Sequence, residues 1–127
     1  MIEVVCAVVA RGGRVLVCRR PAGAHLAGHW EFPGGKVEDG EDPDQALVRE
    51  IREELACTVV VGQALGAVEH SYPDLKIRLQ PFRCTILRGE PRALEHEELG
   101  WFAPEEMNEL ELAGADRAVW ESFRAEV

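Results

Sequence analysis

The stretch from Asp42 to Leu55 constrains this chain more than any other, because it reads as one helix that must lie on a packed surface. Asp42 suits the N-cap, Pro43 suits the first helical position, and Gln45 completes a capping-box pattern. Leu47, Val48, Ile51 and Leu55 form a single apolar stripe, which requires a neighbour to bury it. Glu50, Glu53 and Glu54 sit at i, i+3 and i+4 and share a face beside that stripe, not opposite it. Three carboxylates therefore stand at the edge of a buried surface, where a pocket can form. Arg49, one turn before Glu53, is placed to hold it.

The rest of the chain supplies the surface. Residues 3–10 and 14–19 are apolar and β-branched runs joined across Arg11-Gly12-Gly13, the pattern of a hairpin. Residues 21–30 have no periodicity and read as a loop. Phe32-Pro33-Gly34-Gly35 interrupts the chain and leaves a backbone free to approach a ligand. Strand-like runs follow at 58–69, 75–87 and 99–103. A short helix is expected from Pro104, and a closing amphipathic helix over 115–125. Strands interleaved with helices predict an α/β protein, a mixed β-sheet with helices on its faces. With 127 residues, one domain over 1–127 with a single core is expected.

Charge narrows the function. Fourteen Lys and Arg against 23 Asp and Glu give −9, which repels a nucleic-acid polymer. Eight of the acids lie between Glu38 and Glu54, and such crowding is unfavourable unless a cation or protons intervene. Hard oxygen ligands suit Mg²⁺ or Mn²⁺ better than zinc. The plain alternative is a solvated acidic helix face. No EF-hand loop is present. Cys6, Cys18, Cys57 and Cys84 are scattered and form no CxxC pair, so they read as small buried side chains in a reducing compartment. The apolar runs are too short to span a bilayer, and residues 1–10 lack the charged start of an export signal. The expected compartment is the cytoplasm, with no membrane partner.

From Gly35 the chain runs five residues to Glu41, then seven to Arg49-Glu50-Ile51-Arg52-Glu53-Glu54. This resembles the Nudix box, G-x5-E-x7-R-E-U-x-E-E-x-G-U. It departs from it only at the end, where Ala56 replaces the glycine and Cys57 the last apolar position. The resemblance covers essentially the whole chain and points to the MutT-like branch, with Arg19-Arg20-Pro21, Trp30 to Lys36, Tyr72-Pro73-Asp74, Glu95 and Ala115-Asp116 as shared features. It implies the Nudix α/β/α sandwich, and a Mg²⁺-dependent hydrolase (Mn²⁺ as the alternative) that turns a nucleoside triphosphate into the monophosphate and pyrophosphate.

The resemblance also implies roles. Glu50, Glu53, Glu54, Glu95 and the Gly34 carbonyl would be metal ligands, with Arg49, Glu50, Glu53 and Glu95 as the catalytic residues and either Glu50 or Glu95 as general base. Arg20 would hold the phosphate chain, and otherwise is a strand-end surface arginine. His25, Glu31, Phe32, Pro33, Gly34, Tyr72, Asp74 and Asp116 would contact substrate. Glu41 matches a box position without a settled role, and His29, His70 and His96 read as ordinary polar residues. The expected state is a monomer or a homodimer.

Asp116 bears on the base. In 8-oxo-dGTP-selective relatives an asparagine stands there, able to donate to O6 and accept from N7–H. An ionised aspartate only accepts, which favours the amine of cytosine and so CTP or dCTP over 8-oxo-dGTP. Burial would protonate it and reverse that preference, and capping of the last helix is the plain alternative. A dinucleotide or nucleotide-sugar hydrolase, or a silent binding module, are the other classes. Retention of Glu50, Glu53 and Glu54 speaks against the module.

Overall fold

The computed structural model describes residues 1–126. In chain order the elements are β1 (Ile2–Arg11), β2 (Arg14–Arg19), β3 (Trp30–Glu31), β4 (Gly34–Lys36) and α1 (Pro43–Leu55), then β5 (Thr58–Ala64), β6 (Val68–Tyr72), β7 (Leu75–Arg88), β8 (Glu98–Phe102), α2 (Pro104–Glu109) and α3 (Gly114–Phe123), followed by a 3-10 turn. β1 and β7 run parallel in the middle, while β4, β5, β6, β2, β3 and β8 attach in antiparallel pairs. The sheet is mixed, as expected.

Helices cover both faces, and alternation along β1 shows it. Val5, Ala7 and Val9 point to a cluster with Ala46, Leu47, Ile51 and Leu55 of α1. Cys6 and Val8 point the other way, to Met107 of α2 and to Ala115, Val119, Trp120 and Phe123 of α3. Two apolar clusters thus replace the single core expected from length, because the sheet separates them. The fold is an α/β/α sandwich.

The first helix ends as its sequence suggests only in part. The Asp42 N–H donates to Gln45 Oε1 at 3.1 Å, completing the capping box. At the other end Ala56 adopts φ 56°, ψ 30°, a left-handed cap without the glycine that makes it easy.

Two readings of the chain need correction. The run 58–69 is two strands, interrupted after Ala64 opposite Gln80-Pro81 of β7, where proline has no N–H to offer a ladder. Leu65 N–H instead donates to the Pro81 carbonyl at 2.9 Å, and Gln80 Nε2 to the Leu65 carbonyl at 2.7 Å. The broken-looking stretch from Trp30 to Lys36 holds two short strands. β3 pairs with β2 (Cys18 opposite Glu31), and β4 pairs with β1 (Cys6 opposite Gly34, Val5 opposite Gly35). This bridge carries Glu31, Phe32 and the two glycines into one place.

Candidate active site

The glycines do not face open space. A Cβ on Gly34 would stand 2.0 Å from the Val5 carbonyl oxygen, and one on Gly35 would stand 2.4 Å from Glu50 Cδ. Glycine here admits the β1 backbone on one side and the Glu50 carboxylate on the other. Gly34 N–H donates to Glu54 Oε1 at 3.2 Å, which fixes the Glu54 carboxylate against the β4 backbone.

Beside this contact opens a cleft of about 500 Å³. It is lined by Glu50, Glu54, Gly34, Gly35, Arg20 and Glu31, and by Phe32, Tyr72, Ile77, Leu79 and Asp116. His25 and Cys6 also reach it. Of the residues singled out in the sequence, Pro33 is fully buried behind the lining, and Arg49, Glu53 and Glu95 stand outside it. Asp74 is exposed, is not part of the lining, and pairs with His25 at 3.2 Å from Nε2.

Electrostatics sort the carboxylates. Burial, then the charges of Glu31 and Glu50, push Glu54 up to about 8. Burial likewise raises Glu50, although Arg49 opposes it. Arg49 Nη1 lies 2.9 Å from Glu50 Oε1 and 3.3 Å from Glu53 Oε2. Glu95 is exposed, and its charge contributes to raising both Glu50 and Glu54. Among the described residues no three His, Cys, Asp or Glu side chains converge on one point where a metal would sit. The donor set nevertheless fits a hard cation. It consists of carboxylate oxygens whose repulsion a cation would relieve.

The apolar part of the cleft holds its polar groups firmly. Asp116 is 7% exposed, and its Oδ1 accepts from the Phe32 N–H at 2.9 Å. Burial, then the charge of Glu31, pushes its carboxyl well above the usual range, against the hydrogen bond from the Phe32 N–H. The direction is that of the protonated alternative, which burial favours. Asp116 is not the helix cap, since Ala113 occupies that position. The Tyr72 hydroxyl accepts from the Ala115 N–H at 3.0 Å, and the ring packs against His25 and His70.

His96, an ordinary polar residue on its sequence alone, packs against a residue of the cleft. Its side chain is 4% exposed, with Nε2 2.9 Å from Glu31 Oε2. Its only sequence signal is adjacency to Glu95. The four cysteines are free and buried, as expected.

A mixed sheet between helices, with a carboxylate helix packed on a Gly-Gly strand beside a cleft, is the arrangement of one family. The family described as NUDIX domain matches residues 4–122, and the chain belongs to it. It is an enzyme, a Nudix-type diphosphatase acting as a nucleotide pyrophosphohydrolase. It is 42% identical over 125 residues to the CTP pyrophosphohydrolase of Escherichia coli K12, covering 98% of this chain and 93% of that one. It is 45% identical over 76 residues to the 8-oxo-dGTP diphosphatase of Proteus vulgaris, covering 60% and 68% of the two chains. The solution structure of the E. coli ORF135 protein superposes with a TM-score of 0.85 at 42% identity, over 98% of this chain and 89% of that one. Nudix hydrolases of the MutT type generally need a divalent metal. Among the described residues no helix is long and apolar enough to cross a membrane.

Proposed function

We propose that the protein hydrolyses a nucleoside triphosphate to the monophosphate and pyrophosphate with Mg²⁺, for which Mn²⁺ can substitute. The observation that carries this is one cleft lined both by Glu50, Glu54 and Arg20 and by an apolar pocket containing Tyr72 and Asp116. Glu50, Glu53, Glu54, Glu95 and the Gly34 carbonyl are the oxygens that would hold the metal. The metal would neutralise the phosphates and activate water. Arg20 would bind the phosphate chain, as its guanidinium geometry suits. Of the two candidate bases, Glu50 lines the cleft and Glu95 does not, which favours Glu50.

For the base, the first reading is a cytosine nucleotide, supported by the name of the 42% identical E. coli relative. A neutral Asp116 both donates and accepts, which suits cytosine N3 with its N4 amine. It equally suits O6 with N7–H of 8-oxo-dGTP, the second reading, and it disfavours unmodified guanine, whose N7 has no hydrogen. The test is phosphate release from CTP, dCTP, dGTP, 8-oxo-dGTP, dinucleotides and nucleotide sugars, with added inorganic pyrophosphatase. Activity on triphosphates that is abolished by EDTA and restored by Mg²⁺ is expected. Turnover of dinucleotides or nucleotide sugars alone, or of nothing, would overturn the reading.

A further inference from the structure

Arg20 uses two of its three nitrogens within the protein. Nε donates to the His25 carbonyl, and Nη1 reaches both Glu31 oxygens at 3.0 and 3.1 Å. Nη2 makes no hydrogen bond among the described residues, and is the part left for an anion. Glu31 is held in turn by His96 at 2.9 Å, from the loop between β7 and β8. A carboxylate only accepts, so His96 Nε2 carries the hydrogen. The ring's Nδ1 is buried and has no partner among the described residues. The contact with Glu31 is therefore the one hydrogen bond that orients this imidazole.

We propose that His96 is a positioning residue for the hydrolysis, acting through Glu31 to aim Arg20 at the phosphate chain. The proposal rests on the triphosphate reading above. An incoming phosphate competes with Glu31 for the guanidinium, and a carboxylate held by Arg20 alone would shift with it. A second tether from a buried imidazole keeps Glu31, and hence Arg20, in place before substrate arrives. The loop itself does not need the imidazole, because Leu94 N–H donates to the Glu54 carbonyl and Glu97 N–H to the Arg19 carbonyl, each at 3.0 Å.

The test compares His96→Gln, whose amide N–H can still reach Glu31, with His96→Leu and His96→Asn, which cannot hold it. Leu and Asn should raise KM for the triphosphate at least tenfold and change kcat less than threefold, with Gln recovering most of the loss. In an Arg20→Ala background, His96→Leu should add less than twofold. Should Leu fail to fold, the Asn and Gln pair carries the same comparison. Calorimetric binding of inorganic triphosphate with Ca²⁺ repeats it without turnover, so a wrong nucleotide assignment does not mask the result. Full additivity with Arg20→Ala, a loss in kcat with KM unchanged, or unaltered triphosphate affinity in His96→Asn overturns the proposal.

Discussion

Glu41 and Arg49 form a two-pronged ion pair, with Nε 2.8 Å from Oε2 and Nη2 2.9 Å from Oε1. The remaining nitrogen of that guanidinium, Nη1, reaches Glu50 and Glu53. Glu41 thus has a positional role. It fixes the arginine that sorts the helix carboxylates, and Arg49 holds its carboxyl down at about 2.

A folded pKa below the unfolded one contributes stability above the unfolded value, lost as pH falls through the folded one. Glu41→Gln should therefore melt below wild type at pH 7, with the gap closing between about pH 4.5 and pH 2. Loss of a supporting partner of this kind typically costs roughly 10- to 100-fold in activity. Thermal melts across pH, with turnover at pH 7, check both. An unchanged gap at pH 2 would exclude the ion pair as its source.

Glu53→Gln or Glu54→Gln should leave the fold intact and lower turnover by at least about 100-fold, since metal-bound charge stabilisation supplies several kcal/mol. Without metal, Glu54→Gln should melt higher than wild type at neutral pH, because a carboxyl raised on folding from about 4.5 to about 8 opposes stability between those values. Calorimetry in EDTA and steady-state kinetics in Mg²⁺ measure the two effects. Near wild-type turnover in both variants would sink the metal assignment.

Ala56→Gly should stabilise the protein by about 1 kcal/mol, roughly 3–6 °C in Tm, because a Cβ in the left-handed region is strained. Turnover should not change, since the carboxylates precede this cap. Urea melts would show it, and a loss of stability would mean that the methyl packs usefully.

Asp116 has its pKa raised by folding, so it opposes stability as pH climbs from its unfolded value of about 4 toward its folded one. Asp116→Asn keeps an oxygen for the Phe32 N–H and removes the titration. The variant should melt higher than wild type at pH 8 and no higher at pH 3. If Asp116 meets the base as the neutral acid, selectivity between CTP and 8-oxo-dGTP should stay within a few fold at pH 7, because a neutral acid and an amide offer the same donor and acceptor pair. A tenfold move toward 8-oxo-dGTP would show instead that Asp116 binds the base as an anion.

The capped helix, its apolar stripe and its carboxylate edge were legible in the sequence, because capping and 3.6-residue periodicity depend on neighbours within a turn or two. The spacing from Gly35 to Glu54 likewise identified the family, and alternating apolar runs marked most strands. Tertiary structure alone decided the rest. The two strands from Trp30 to Lys36 owe their order to β1 and β2, since glycine has little local preference for a strand. That His96 reaches Glu31 across 65 residues, and that Asp116 receives the Phe32 N–H across 84, left no periodic trace in the chain. The upward shift of the Asp116 carboxyl follows from how little water surrounds it, a property of packing that composition does not carry.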